Sequence, residues 1–329
     1  MIDISDMKNI HFKYRNLFLY SMKRKLIKQG GGGFTVYLPK KWIDERSLKA
    51  GDEIDVDETD NALVLRTKAN VKKSTTLALI DEPHYLIYLK LTHLYRMGFD
   101  TIYVTFKNSS LLAEVQRIVT DYLLGFEITE KQKNSCILEN VAEPADEKFS
   151  ALFRRIFLQI KEMHALITDD VVQNKQLHKQ EIQQLRISFD KHVYFCRRCI
   201  SKKMNIEEDS ILHWELLTLL THTQHGFYYL YQYYADKKKS LSSETKHFLS
   251  LLENYFDCVY NAYFEKKSEY LDTQQKLYHH LNTNIFVLLE KNKDAVVLAH
   301  LKEIIRLIQV AGSPVRALLT DVQSRSNLE

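Results

Sequence analysis

The spacing of apolar residues changes character near residue 145. Beyond it they recur every three or four positions, the period of a helix with one buried stripe. Phe149, Leu152, Phe153, Ile156, Phe157, Ile160, Met163 and Ile167 form one stripe; Leu185, Phe189, Val193, Cys196 and Ile200 form a second; Phe248, Leu252, Tyr255, Phe256, Val259 and Tyr263 form a third. The pattern predicts six helices, at about 147–168, 171–203, 208–236, 242–267, 270–291 and 294–323. The predicted breaks are short and polar: Thr168-Asp-Asp, Asn205-Ile-Glu-Glu-Asp, Asp236-Lys-Lys-Lys-Ser, Asp272-Thr and Asn292-Lys-Asp. Short breaks imply antiparallel neighbours. Three plus three helices of similar length suggest a tandem three-helix repeat.

Before that point the apolar runs are shorter. Residues 23–29 and Phe34-Thr-Val-Tyr-Leu38 read as strands, reversed at Gly30–Gly33, where positive φ costs nothing. Pro39 suits the first turn of a short helix, Lys40 to Arg46. Ser47 to Asp52 is a turn, and Glu53–Asp57 and Ala62–Thr67 are two further strands around a tight Asp60-Asn61 turn. This ββαββ unit has too small a core to stand alone, so it is expected to dimerise by interleaving. Residues 1–21 are weakly patterned and read as an extension, with Met22 an alternative start.

The segment 71–143 reads βαβαββ, a small α/β sandwich: a strand at Thr75–Ile80, a helix opened by Pro83 and closed by Gly98, and a strand at Thr101–Phe106. A helix capped by Ser109 or Ser110 follows, to Leu124, then a hairpin of Phe126–Lys131 and Asn134–Val141. The division is therefore 1–21, 22–70, 71–143 and 144–329, a multidomain α+β chain.

Composition changes this picture little. Nine glycines and four prolines in 329 residues favour long helices. A net charge of +4 is too mild to imply nucleic acid by itself. Its placement says more. Ser21–Lys49 holds eight basic residues (Lys23, Arg24, Lys25, Lys28, Lys40, Lys41, Arg46, Lys49) against Asp44 and Glu45, net +6. Ala50–Asn70 holds six acids against Arg66 and Lys68, net −4, so the module is expected to carry a basic and an acidic face. Four cysteines do not make a disulfide framework and point to a reducing compartment. The longest uncharged run, Leu216–Ala235, holds five tyrosines, two histidines and two glutamines, wrong for a spanning helix. The expectation is a soluble cytoplasmic protein with no membrane insertion.

The run Arg24-Lys-Leu-Ile-Lys-Gln-Gly-Gly-Gly-Gly-Phe-Thr-Val-Tyr-Leu-Pro-Lys-Lys-Trp42, followed by Leu48-Lys-Ala-Gly-Asp-Glu-Ile54, resembles the swapped-hairpin DNA-binding β-barrel of the SpoVT/AbrB type. It is closest to the form fused to a PhoU-like helical domain in archaeal phosphate-uptake regulators. Leu94-Tyr-Arg-Met-Gly-Phe-Asp-Thr-Ile-Tyr-Val104 and Leu123-Leu-Gly-Phe-Glu-Ile128 resemble the small α/β insert of those proteins. The helices from Phe149 match the PhoU six-helix pattern in length and number more than in motif. The resemblance implies a homodimeric regulator of phosphate uptake that binds double-stranded DNA, with a phosphate transporter component as a further partner. Two alternatives share parts of it. One is a signalling adaptor bound to a transporter or kinase with little DNA binding; the other is an antitoxin-like repressor.

The expected DNA contacts are Arg24, Lys25 and Lys28 before the glycines, Thr35 on the second strand, and Lys40, Lys41 and Arg46 on or beside the helix. Cations on a narrow β element can neutralise phosphates and release counterions, and a β-ribbon fits the major groove. Trp42 is expected to pack in the dimer core rather than stack on a base. Gly30–Gly33 lacks the GK[ST] ending of a phosphate-binding loop.

PhoU domains commonly carry acids at i and i+4 for metal clusters, and here the matching position reads Arg186-Ile-Ser-Phe-Asp190. A cation in place of the first acid repels a metal. Glu269 and Asp272 are the nearest pair in the second half. No metal or cofactor is expected. His192, Cys196 and Cys199 share one helical face, with His222 and His225 on the next helix; the bland reading is a buried pair of thiols beside a hydrogen-bonded histidine. Phe227-Tyr-Tyr-Leu-Tyr-Gln-Tyr-Tyr234 reads as bundle core with phenolic tips reaching water, or as a partner surface. Asp236-Lys-Lys-Lys239 reads as a solvated loop. No nucleophile elbow, Walker loop or zincin helix occurs, so an enzyme is not expected.

Overall fold

A computed structural model describes residues 23–59, 62–67, 72–80, 82–142, 146–202, 209–237, 240–291 and 294–326. The 1–21 extension, Met22 and the Asp60-Asn61 turn lie outside them. The described residues form a mixed α+β chain, two small hairpins and a four-stranded sheet followed by a helical C-terminal part. They divide into two compact units between Val71 and Lys72.

The first unit has the expected ββαββ order. β1 (Ile27–Lys28) pairs antiparallel with β2 (Phe34–Thr35), α1 spans Lys40–Asp44, and β3 (Asp55–Thr59) pairs antiparallel with β4 (Ala62–Arg66). β3 lies two residues later than its sequence pattern indicates. The hairpins are separate two-stranded sheets. No described residue of this unit is buried. Leu26, Phe34, Tyr37, Val56 and Leu63 are each more than half exposed.

The second unit begins with the sheet. β5 (Ser74–Leu79), α2 (His84–Arg96), β6 (Thr101–Phe106), α3 (Leu111–Tyr122), β7 (Phe126–Gln132) and β8 (Ser135–Asn140) give the strand order β5-β6-β8-β7. β5 and β6 are parallel, joined through α2; the other pairings are antiparallel. Alternation sets the layers: Ile102, Val104, Phe106, Cys136 and Leu138 are buried, while Tyr103 and Thr105 face out. The turn before α3 is held by Asn108, whose Oδ1 accepts the Ser110 N–H at 3.0 Å, not by a serine cap.

The helical part comprises α4 (Asp146–Gln173), α5 (Lys179–Ser201), α6 (Ser210–Lys237), α7 (Ser243–Ser250), α8 (Leu252–Glu265), α9 (Glu269–Glu290) and α10 (Ala295–Ser326). The expected six helices become seven among the described residues, because the one predicted at 242–267 breaks at Leu251. The cause is tertiary. His164 of α4 donates from Nε2 to the Leu249 carbonyl at 2.9 Å, drawing it out of the helical ladder, and Ser250 Oγ donates to His247 O at 2.7 Å. The predicted break at Thr168-Asp-Asp is also wrong: α4 continues to Gln173 and turns at 174–178. The Asp170 carboxylate accepts the N–H groups of Leu177 and His178 at 2.9 and 3.2 Å and so holds that turn. The break expected at Asp272-Thr falls earlier, at Lys266, which adopts the left-handed conformation (φ 59°).

α5 runs between the α2–α3 layer and the bundle helices α4 and α6. Its second half is accordingly buried nearly all round, from Phe189 through Ile200. One continuous apolar core extends from Leu79 of β5 to Leu319 of α10. No described helix is long and apolar enough to cross a membrane.

Candidate nucleic-acid interface

The Gln29 N–H donates to Gly33 O at 2.9 Å, closing the β1–β2 hairpin. Inside that loop Gly31 and Gly32 have φ of +87° and +92°. A Cβ at either would meet nothing within 4 Å, so the demand for glycine here is conformational, not spatial. The register sets Ile27 opposite Thr35 and Lys28 opposite Phe34. Each face of this ribbon therefore carries an apolar and a polar residue side by side.

Arg24, Lys25, Lys28, Lys40 and Lys41 are exposed, and Thr35 is half-buried. Pro39 begins α1 with no side-chain cap, and the first turn holds lysines and no acid. Lysines are unfavourable at the positive end of a helix. Lys40 thus stands against the local preference, whereas in this five-residue helix Lys41 also falls in the last turn, where a cation is favoured. Lys41 reaches Glu45 at 3.8 Å across an exposed i,i+4 pair of small energetic weight. Arg46 differs from the rest. Its guanidinium lies 4.5 Å from the centre of the Trp42 ring, and Nη1 donates to the Trp42 carbonyl at 3.3 Å. Arg46 is thereby tied to α1, and Trp42 is half-buried beneath it.

The other constellations lie in the second unit. Arg186 and Asp190 form an ion pair, and His225 Nε2 donates to the other Asp190 oxygen at 3.1 Å. The position that resembles the PhoU acid pair is thus occupied by an internal charge pair. Burial pulls the His225 imidazole below its ordinary range despite the Asp190 contact. Asp272 pairs with Arg316 at 2.9 Å. Cys196 and Cys199 are buried, and burial pushes the Cys196 thiol well up. His192 donates to Gln159 Oε1 at 2.9 Å, and burial lowers its pKa to about 4, helped by Arg155 and Lys191. The aromatic stretch of α6 is core at Phe227, Tyr231 and Tyr234 and half-exposed at Tyr229. The tips of the two buried tyrosines do not reach water. Tyr231 donates to the Asp170 carboxylate at 2.6 Å and Tyr234 to the Asp170 carbonyl at 3.1 Å. Of the Asp236–Lys239 run, Lys238 and Lys239 lie outside the described residues.

Sequence reasoning missed Asp100, which joins the sheet layer to the helices. One oxygen accepts from Arg198 Nη2 and Lys202 Nζ, both at 2.6 Å; the other accepts the Lys73 N–H at 3.0 Å. Burial pushes the Asp100 carboxyl up, but Lys202, the Lys73 amide and Arg198 outweigh it and hold it below the ordinary value. Arg198 is fully buried, its Nη1 donating to the carbonyls of Tyr95 and Phe99. The helix pattern gave no signal for it, since Arg198 falls on the face opposite the Leu185-Phe189-Val193-Cys196-Ile200 stripe. No family model, characterised protein or solved structure matches the chain.

Proposed function

We propose that the chain is a DNA-binding regulator whose first unit docks on double-stranded DNA as a homodimer. The observation that carries this reading is the hairpin itself. Lys28 is exposed on β1, Arg24 and Lys25 are exposed in the segment leading into it, and the neighbouring Leu26 and Phe34 are exposed as well. A module with no buried side chain among its described residues lacks the core that keeps such a unit folded, and a second copy supplies it. Pairing two copies doubles the basic ribbon on a two-fold axis, as duplex half-sites require. In this reading the two hairpins interleave into the SpoVT/AbrB type of barrel, and the PhoU-like helical part senses a signal. Phosphate uptake as the regulated process rests on the resemblance alone.

The test is binding to mixed-sequence duplex DNA as a function of salt, by fluorescence anisotropy, for the wild type and Arg24→Ala/Lys25→Ala. The double variant is expected to bind more weakly, with a log–log salt slope shallower by about one for each phosphate it no longer neutralises. Unchanged affinity and slope would remove the hairpin from the interface. Sedimentation equilibrium is expected to give a dimer; a folded monomer over the working concentration range contradicts the paired module.

A further inference from the structure

We infer that β5 is a docking edge for the β5 strand of a second copy of this chain, the two pairing antiparallel across a two-fold axis at Thr76. β5 and β7 are the two edges of the four-stranded sheet, and they are built differently. β7 carries Glu127, Glu130 and Lys131 and has a register shift between Ile128 and Glu130. Charge and a bulge are devices that stop an edge from pairing. β5 reads Ser-Thr-Thr-Leu-Ala-Leu, six residues with no charge, no proline and an unbroken register against β6. An edge of that kind is a template for another strand.

The backbone fixes which groups are on offer. Lys73 O accepts the Thr101 N–H and Leu79 O accepts the Lys107 N–H, both at 3.1 Å, so the odd-numbered residues bond toward β6. By the two-residue period, the N–H and C=O groups of Ser74, Thr76 and Ala78 point the other way, where no described strand lies. All three residues are exposed. The next outward N–H, that of Ile80, is already taken, because the Glu82 carboxylate accepts it at 2.8 Å. The open strip is therefore Ser74 to Ala78, symmetric about Thr76.

That symmetry selects the occupant. Antiparallel pairing at Thr76 sets Thr76 opposite Thr76 and Ser74 opposite Ala78, so each outward N–H meets an outward carbonyl of the other copy. A directly opposed threonine pair is itself a favourable cross-strand contact. On the face toward the helices, Thr75 falls opposite Leu77; both are half-buried and gain cover from each other. The flanks match as well. Lys72-Lys73 precedes β5 and Asp81-Glu82 follows it, so the basic end of one strand runs beside the acidic end of the other, twice over. Two four-stranded sheets thereby become one. This inference depends neither on DNA binding nor on pairing of the first unit.

The experiment follows amide hydrogen exchange in the full chain, residue by residue, at up to about 100 μM protein. The Thr76 and Ala78 amides, which a lone edge leaves open to water, are expected to be protected. Thr76→Lys sets like charges opposite each other and is expected to speed their exchange about tenfold, and Thr76→Glu does the same. A pair of chains carrying one substitution each, co-expressed and isolated through two affinity tags, is expected to regain protection, because opposite charges now face each other. Thr76→Val keeps a neutral β-branched side chain and is expected to leave protection unchanged. Circular dichroism establishes that each variant is folded, as befits an exposed side chain. Fast exchange of both amides in the wild type overturns the proposal, even where the chain sediments as a dimer through its first unit. So does protection that survives Thr76→Lys. Protection lost in each single variant and not regained in the mixed pair overturns a second copy as the occupant and assigns the edge to a different strand.

Discussion

Asp100→Ala is expected to destabilise the second unit by about 3–5 kcal/mol, the cost of removing one member of a buried, hydrogen-bonded charge pair. The carboxylate has three donors: Arg198, Lys202 and the Lys73 amide. Arg198 is fully buried over the Tyr95 and Phe126 rings, so it cannot swing to water once its acid is gone. It would keep the Tyr95 and Phe99 carbonyls but carry an uncompensated charge. Urea unfolding followed by circular dichroism measures the effect as a lower midpoint at unchanged slope. A loss below about 1 kcal/mol would mean that the contact is incidental. Acid supplies an independent arm. The folded Asp100 carboxyl titrates below its ordinary value, so its stabilisation is complete above the unfolded value of about 3.9. It is lost as pH falls through the lower, folded value. Wild-type stability should therefore drop more than that of Asp100→Ala between about pH 4 and pH 2.

Asp170→Ala is expected to cost about 3 kcal/mol, because the buried Tyr231 hydroxyl and the part-buried Leu177 and His178 amides lose their acceptor at once. The Leu177 and His178 amides and the Tyr231 hydroxyl all point at this carboxylate, which is fully buried. Tyr231→Phe removes one donor and leaves the carboxylate with two amides, so it should cost only about 1 kcal/mol. Hydrogen exchange gives the local readout: the Leu177 and His178 amides should lose protection in Asp170→Ala and keep it in Tyr231→Phe. Equal protection in both variants would mean that the turn holds itself. The neighbouring group of Asp169, Asp170 and His178 has ligand-like spacing, but Asp170 already spends its oxygens on this turn.

Local chemistry made the element order legible. Glycines at Gly31 and Gly32, Pro39 before α1 and the three-and-four spacing after Phe149 each act within a few residues, and each appears at or near its expected place. What escaped was contact between distant residues. The break at Leu251 depends on His164, 87 positions earlier, capturing a carbonyl two residues before the break. The end of α4 depends on an acid that looked like a helix stop and instead reaches forward to cap the next turn.

The candidate sites divide in the same way. Lys28 and the exposed lysines of α1 could be picked out because a run of basic residues around glycines is visible in one dimension. Arg46 belonged to the same run, but its ring contact with Trp42 sets it apart. By itself the sequence determined the alternation of strands and helices and the clustering of charge at the hairpin. The tertiary structure decided which of three neighbouring arginines, Arg186, Arg197 and Arg198, have an acid partner. Pairing depends on what the fold brings within about 4 Å, which no spacing along the chain encodes.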